Sequence, residues 1–360
     1  MNGRYLFAIA LTISSLCFIR TTNAQYGTGA VHLPFESQGA RVGQRIGLTD
    51  IDITYHRPAV KGRPIWGGLV PYNGGKPFPW RGGANENTTI SFSTDVMIDG
   101  KPLAAGTYGL HFIPSASDWT VIFSKNYTSW GSFSYDPAED ALRVSVKPHE
   151  APFEEYLTYL FAEPKPTSVL ARLHWEKLAV DIPISIDLGK TVLASINNEL
   201  RNTPGFTWQG YNSAASFCAK NNIELQQGLE WAENSVQIEA RFENLETKSR
   251  LLRLLGKQSE ADETLQKALS KASVMQVNAY GRGLIAEGKP KEAMAVFQDN
   301  AKKHPDEWIV YAGLARGYEG LGDLEHAIEQ MKIAQSKAPD ANKASIGGTI
   351  SQWEGMLKKK

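Results

Sequence analysis

The chain has 360 residues, 42% of them hydrophobic and 21% charged, and its 38 basic residues equal its 38 acidic ones. This length predicts about two to three domains with enough apolar material to form cores. The even charge gives no support for nucleic-acid binding, which requires a concentrated basic surface, so we expect no nucleic acid among the partners.

Residues 1–24 have the pattern of a signal peptide. Arg4 gives a positive start, residues 6–19 are apolar, and Thr22-Asn23-Ala24 forms a small-residue cleavage site. The apolar run is shorter than the stretch of about 20 residues that spans a membrane as a helix. We therefore expect an exported protein with no membrane span after cleavage. Cleavage would also leave Cys218 as the single cysteine, which excludes an internal disulfide.

After an N-terminal extension at 25–40, residues 41–190 have the two-residue period of β-strands. Apolar and polar residues alternate, as in the segment with Tyr108, Leu110 and Phe112. Asp99-Gly100 lies between two such segments and is typical of a hairpin turn. Many short strands with close turns predict an antiparallel β-sandwich-like domain.

A segment rich in glycine and proline, residues 58–84, interrupts the strand pattern and excludes a regular strand or helix there. It contains Trp66 and Trp80. Long ordered loops often carry function, and the two indole rings could stack on a ligand. Alternatively, the rings could simply cover one end of the sandwich. The sequence leaves both interpretations open.

The second half of the chain has a helical period and an internal repeat. Gly256, Gly288 and Gly322 are 32 and 34 residues apart. Each is followed five residues later by an alanine and preceded seven residues earlier by a small residue. The pattern resembles the tetratricopeptide repeat, in which small residues stand where the two helices of a unit cross.

This repeat sets the predicted boundaries of the second half. We predict a linker at 191–206, followed by a tetratricopeptide-type α-solenoid over 207–342. The solenoid would hold about three clear units and one degenerate first unit, since the small positions of 208–237 do not align cleanly. A capping helix and a basic tail are expected over 343–360.

The first half carries a second resemblance, in the order and spacing of several segments. They include Tyr55-His56-Arg57-Pro58, Trp66-Gly67-Gly68-Leu69, Trp80-Arg81-Gly82-Gly83-Ala84-Asn85-Glu86 and His174-Trp175-Glu176-Lys177-Leu178. Over 42–188 the chain resembles a family of exported bacterial proteins that is labelled a domain of unknown function and is commonly followed by tetratricopeptide repeats. The resemblance implies the fold and a periplasmic or secreted location in a Gram-negative bacterium. It implies no known activity.

Eight residues of the first half are candidates for a ligand site at one rim of the sandwich: His56, Arg57, Trp66, Trp80, Arg81, Asn85, Glu86 and His111. They suit a small ligand or glycan, with cations for acidic groups and tryptophans for stacking. A second interpretation is a hydrolase or metalloenzyme, because His56, Glu86 and His111 could hold a transition metal with an open coordination position. A third is a buried salt-bridged network of Arg57, Arg81 and Glu86.

Specific catalytic motifs are absent from the sequence. There is no Gly-x-Ser-x-Gly segment and no phosphate-binding Gly-Lys-Ser or Gly-Lys-Thr. Cys218 lies among alanines of the helical half and is expected to be a small core residue. We therefore assign no catalytic residue, no metal and no cofactor.

The repeat half has an arginine six residues before each aligned glycine: Arg250, Arg282 and Arg316. In tetratricopeptide arrays this position of the first helix faces the concave groove, and Asn278 lies on the same face as Arg282. Guanidinium groups match carboxylates, so the groove is expected to bind an acidic or C-terminal peptide of a partner protein. The alternative is a solvated stripe neutralised by Glu243, Glu246 and Glu319. The preferred prediction is an exported, non-catalytic binding or scaffold protein.

Overall fold

The computed structural model describes residues 34–72 and 79–358. The predicted signal peptide, most of the N-terminal extension and the final two lysines lie outside the described residues. The chain divides into two compact units at Ser185 and Ile186. We call them the β domain and the helical unit and describe each by itself.

The β domain consists of two antiparallel sheets. The first has the strand order β1-β2-β3-β6-β7-β8 and the second β5-β4-β10-β9. A single turn of 3₁₀ helix at Pro137–Glu139 precedes β8. The strands are β1 Gln38–Ile46, β2 Thr49–Arg57, β3 Thr89–Phe92, β4 Val96–Ile98, β5 Lys101–Leu103, β6 Gly106–Ile113, β7 Trp119–Ser124, β8 Asp140–Val146, β9 Pro148–Lys165 and β10 Ser168–Ser185.

The predicted alternation holds along most strands. In β10, for example, Val169, Ala171, Leu173 and Trp175 are buried while the residues between them are partly exposed. Strand β6 differs, because both of its faces are covered and His111 is buried together with Phe112. The strand periodicity therefore predicted the sandwich-like fold, and that prediction is confirmed.

The helical unit contains α1 Leu188–Glu199, a 3₁₀ turn at Thr203–Phe206, and nine further helices within the described chain. These are α2 Trp208–Asn221, α3 Leu225–Ile238, α4 Phe242–Leu254, α5 Gln258–Lys271, α6 Val274–Ala286, α7 Pro290–Lys303, α8 Trp308–Gly320, α9 Leu324–Lys337 and α10 Asp340–Leu357. Helices α2 to α9 form four hairpins, and α10 packs on the last of them. None of the described helices is both long and apolar enough to cross a membrane.

The stretch at 191–206, predicted as a linker, is a structured element instead. Helix α1 begins at a cap in which the Asp187 side chain accepts a hydrogen bond from the Lys190 backbone N–H at 2.9 Å. Its apolar residues Leu193 and Ile196 pack against the core of the first hairpin. The sequence does not show this helix clearly, because α1 has a few partly buried apolar side chains and no fully buried one.

The turn inside each clear hairpin requires its glycine. Gly256, Gly288 and Gly322 have φ values of 77°, 76° and 83°, in the left-handed region that side chains with a Cβ avoid. In the first hairpin Asn222 takes this role with φ of 53°. The buried small residue that follows, Gly228, comes six positions later rather than five, and this extra residue explains why the first unit looked degenerate in sequence.

Candidate functional site

Four of the five tryptophans of the β domain, all except Trp130, form one cluster. The Trp66 ring lies 5.0 Å from Trp119, 5.8 Å from Trp175 and 5.9 Å from Trp80, measured between centroids. Trp80 is stacked on Trp175 at 6.1 Å. Since Trp119 and Trp175 are 0% and 1% exposed, Trp66 and Trp80 cover a buried aromatic core. This favours the interpretation in which the loop aromatics close one end of the sandwich.

Arg57 serves a structural role at the end of β2. Its Nε donates to the Leu157 carbonyl at 3.0 Å and its Nη2 to Thr158 Oγ1 at 2.6 Å, so it ties β2 to β9. It is therefore occupied by strand β9 and makes no ion pair with Glu86 among the described residues. Asn85, with φ of 59°, donates from its side chain to the Ser37 carbonyl at 3.3 Å and fixes the turn before β3.

His56 and Glu86 do meet, with His56 Nδ1 3.3 Å from Glu86 Oε2. His111 does not join them. Its Nδ1 lies 3.0 Å from Ser132 Oγ and its Nε2 3.5 Å from the side-chain amide of Asn87. Burial lowers the pKa of His111 to about 4, against a weaker opposing effect of Asp140.

The geometry does not assemble the predicted metal site. Across residues 34–72 and 79–358 there is no group of three or more histidine, cysteine, aspartate or glutamate side chains placed to hold a metal ion. The ring nitrogens of His111 face the neutral side chains of Asn87 and Ser132, so of the three residues His56 and Glu86 alone lie together. The structure thus gives no support to the predicted hydrolase or metalloenzyme site at these three residues.

Arg81 differs from the other arginines of the described β domain, which all make side-chain hydrogen bonds. Its guanidinium has no hydrogen-bond or ion-pair partner among the described residues, and its Nε is buried. Burial lowers the pKa of Arg81, while nearby Glu86 acts in the opposite direction. Gly131, with φ of 65°, lets the chain pass close to the guanidinium, since a Cβ there would lie 2.6 Å from Nη1. The predicted network of Arg57, Arg81 and Glu86 is therefore not formed.

Arg81 faces a cleft of about 500 Å³ in the β domain. Lys61 and Arg63 also line this cleft, and Glu36 is the single carboxylate among the lining residues. We call it the Arg81 cleft. The sequence prediction missed Glu36, Lys61 and Tyr156, which come from three separate segments. Arg63 stood in the same glycine-rich segment as Trp66, but nothing in the sequence showed that its side chain would line a cleft.

The three arginines predicted to line the groove of the repeats, Arg250, Arg282 and Arg316, differ in their surroundings. Arg250 and Arg282 are exposed, and Arg282 has no hydrogen-bond or ion-pair partner within the described chain. Arg316 instead donates from Nη1 to Glu319 Oε2 at 2.8 Å and lies over the Trp353 ring at 5.0 Å. Trp353 Nε1 donates to Glu319 Oε1 at 2.8 Å, so helix α10 covers this position.

The acidic neighbours proposed to neutralise the stripe act unevenly. Glu319 neutralises Arg316, whereas Glu243 accepts a hydrogen bond from Gln276 Nε2 at 2.7 Å. Burial raises the pKa of Glu246, with Arg250 acting against the rise. No carboxylate of the described residues makes a hydrogen bond or an ion pair with Arg282.

Asn278 is not available to a ligand as predicted. It is 5% exposed and packs against Gly313 of α8, where a Cβ on the glycine would lie 2.4 Å from Asn278 Oδ1. That oxygen has no hydrogen-bond partner in the described structure. Asn278 shares a helix with Arg282, but its side chain fills the contact between α6 and α8.

Comparison with known proteins identifies the first domain. Residues 37–184 match the family described as "Protein of unknown function (DUF2911)" and form a DUF2911 domain. No curated protein matches the sequence. The predicted family resemblance is confirmed, and the function of the family is unknown.

Solved structures similar to this chain are helical repeat proteins. YrrB, titled "a TPR protein with an unusual peptide-binding site", is 17% identical, with 44% of this chain and 83% of that chain covered and a TM-score of 0.27. PilF of Pseudomonas aeruginosa is 13% identical, with coverage of 44% and 72% and a TM-score of 0.29. MamA from Desulfovibrio magneticus RS-1 is 18% identical, with coverage of 42% and 96% and a TM-score of 0.25. The repeat assignment for this chain rests on its own hairpins and left-handed glycines.

Proposed function

We propose that this protein is an exported, non-catalytic binding scaffold whose helical repeats dock an acidic segment of a partner protein. The signal-peptide pattern of residues 1–24 supports export, although that segment lies outside the described residues. Stacked helical hairpins support the docking role, because such arrays present one continuous surface built from equivalent helix positions.

The observation that carries the proposal is the exposed guanidinium of Arg282, which has no hydrogen-bond or ion-pair partner among the residues that the structure describes. It stands six residues before the left-handed glycine of its hairpin, and Arg250 stands at the same position of the preceding hairpin. Equivalent positions on stacked first helices lie on one surface, so the two cations form a row. A row of guanidinium forks suits carboxylates spaced along an extended peptide.

Arg316 limits this surface on the C-terminal side. Its hydrogen bond to Glu319 and its contact with Trp353 satisfy the guanidinium within the chain. The proposed docking surface therefore involves α4 and α6 more than α8.

Binding of an acidic peptide to single-site variants tests the proposal. A fluorescein-labelled peptide of alternating glutamate and alanine, with a free carboxylate end, is titrated against the full chain by fluorescence anisotropy. Loss of one charge-assisted contact in Arg282→Ala is expected to weaken binding by about tenfold. Arg316→Ala should change the affinity by less than about threefold, because its charge is already paired.

Lys302→Ala is the matched control. Lys302 is an exposed cation on α7, the second helix of the hairpin that carries Arg282, so the variant removes the same charge from another face. Its affinity should equal that of the wild type. An Arg282→Ala variant that binds as tightly as the wild type, or a Lys302→Ala variant weakened to the same extent as Arg282→Ala, would contradict a site at this row of arginines.

A further inference from the structure

The β domain holds a charge that its own residues do not compensate. A buried or half-buried guanidinium is normally paired, because removing it from water without a partner is unfavourable. Arg81 has no hydrogen-bond or ion-pair partner in the described chain, and its Nε is buried. Glu86, the carboxylate that acts on the pKa of Arg81, makes no ion pair with it, and its Oε2 lies 3.3 Å from His56 Nδ1. The group is therefore poised for a partner from outside the chain.

The surroundings of Arg81 are positively charged. Arg63 donates from Nε to the Val60 carbonyl at 3.1 Å and from Nη2 to the Ala59 carbonyl at 2.6 Å, and both acceptors are neutral. Lys61 is paired with Glu36. One ion pair and two guanidinium groups that make no ion pair within the described chain thus line the same cleft, whose field favours an anion.

The cleft also has the size and walls of a small-molecule site. Its volume of about 500 Å³ falls within the range of about 300–1,000 Å³ that is typical of ligand pockets. Trp80, Tyr156 and Leu69 supply apolar surface, and Tyr156 and Leu69 are exposed. Such walls suit the ring or apolar body of a ligand, while the arginine fork fixes its charged end.

We propose that the Arg81 cleft binds a small organic acid, with the ligand carboxylate held by the Arg81 guanidinium and its ring body against Trp80 and Tyr156. A carboxylate matches the planar fork in two parallel hydrogen bonds. This inference concerns the β domain and is independent of the peptide surface proposed for the repeats.

Benzoate and its neutral analogue benzamide test the proposal on the full chain. Isothermal titration should detect binding of benzoate and none of benzamide, because the two differ in the charge that Arg81 reads. Arg81→Met is expected to weaken benzoate binding by more than about tenfold, since it removes the charged fork and keeps the length of the side chain. The benzoate affinity of Arg81→Lys should lie between those of the wild type and Arg81→Met, because lysine keeps the charge and loses the second parallel hydrogen bond.

Thermal unfolding without ligand separates a binding role from a structural one. Arg81→Met should melt about 2–4 °C above the wild type, because it removes an uncompensated buried charge. Arg172→Met is the control: its guanidinium donates to Asp181 at 2.6 Å and 2.8 Å outside the cleft, so this variant should melt lower and bind benzoate normally.

Several results would overturn the inference. The inference fails if the wild type does not bind benzoate, if benzamide binds as well as benzoate, or if Arg81→Met binds benzoate as tightly as the wild type. Inorganic phosphate that displaces benzoate at a lower concentration would also overturn it, since the site would then be one for phosphate. If Arg81→Met does not fold, the test rests on Arg81→Lys. An unchanged benzoate affinity of Arg81→Lys would then contradict a carboxylate held by the guanidinium in two parallel hydrogen bonds.

Discussion

The β domain and the repeat array fill their interiors in opposite ways. The β domain brings together large rings from distant segments, with Trp66 and Trp80 from the loop packed on Trp119 and Trp175 from the two sheets. The array instead places small residues at helix crossings, where Ala261, Ala293 and Ala327 are all 0% exposed. The first interior should therefore be most sensitive to removal of atoms, and the second to addition of atoms.

The largest effect is expected from Trp175→Ala. Its ring contacts two other tryptophans and its Nε1 donates to the Glu155 carbonyl at 3.3 Å, so truncation leaves a large cavity and removes one of the two hydrogen bonds to that carbonyl, the other coming from the Val60 backbone N–H. We expect a loss of about 3–5 kcal/mol in the free energy of unfolding of the β domain. Urea denaturation followed by tryptophan fluorescence measures it.

Trp130→Ala provides the comparison for that experiment. The Trp130 ring is 51% exposed and has its centroid 6.0 Å from the Phe35 ring, away from the other four tryptophans. Its loss should cost less than about 1 kcal/mol. Equal losses in the two variants would show that the aromatic cluster is not the centre of the β domain.

The next effect concerns pH and should differ in sign between the two units. His111 titrates near pH 4 in the folded β domain against about 6.5 in the unfolded chain. A depressed folded pKa means that its contribution to stability is complete above about pH 6.5 and is lost as the pH falls towards 4. The expected loss is about 3 kcal/mol. In the array, burial raises the pKa of Glu246, so that group favours the folded state more at low pH.

Replacement of His111 tests the origin of this pH dependence. His111→Gln removes the titration and keeps a polar side chain facing Ser132 and Asn87. Urea midpoints of the β domain at about pH 7.5 and about pH 4.5 should then differ less than in the wild type. The idea fails if the variant shows the same acid sensitivity as the wild type.

The same contrast explains what could be predicted from sequence. The repeat units were predictable because every determinant is local: a left-handed glycine such as Gly288, with small residues at fixed distances on both sides. Strand alternation predicted the sandwich for a similar reason. Helix α1 was missed because it carries neither a repeat signature nor a fully buried face.

The candidate site was much less predictable. Arg57 and Arg81 look equivalent in the sequence, yet Arg57 is hydrogen-bonded to β9 and Arg81 has no hydrogen-bond or ion-pair partner in the described parts of the chain. The difference depends on which segment passes beside each guanidinium, and those segments are distant along the chain. In the structure His56 lies beside Glu86 whereas His111 contacts Ser132, and the positions of these residues along the chain could not show that difference.

An intermediate effect should follow from an added methyl group in the array. In α6, a Cβ on Gly281 would lie 2.4 Å from the Phe297 ring, which is 1% exposed and unable to move away. Gly281→Ala is therefore expected to destabilise the array by about 1–3 kcal/mol. Gly283→Ala, two residues further along the same helix, meets nothing within 4 Å and should stabilise by up to about 1 kcal/mol. Far-UV circular dichroism in urea compares the two, and equal shifts would mean that crossing distance does not limit this array.

The smallest effect concerns backbone conformation alone. Gly256 has φ of 77°, and an added Cβ there would meet nothing within 4 Å, so only the left-handed conformation opposes a side chain. Gly256→Ala should cost about 1 kcal/mol. Gly256→Asn should cost less, because asparagine tolerates this conformation and Asn222 already adopts it, with φ of 53°, in the first hairpin. If the two variants lost equal stability, the extra residue after Asn222, rather than asparagine itself, would be what allows the first hairpin to turn without glycine.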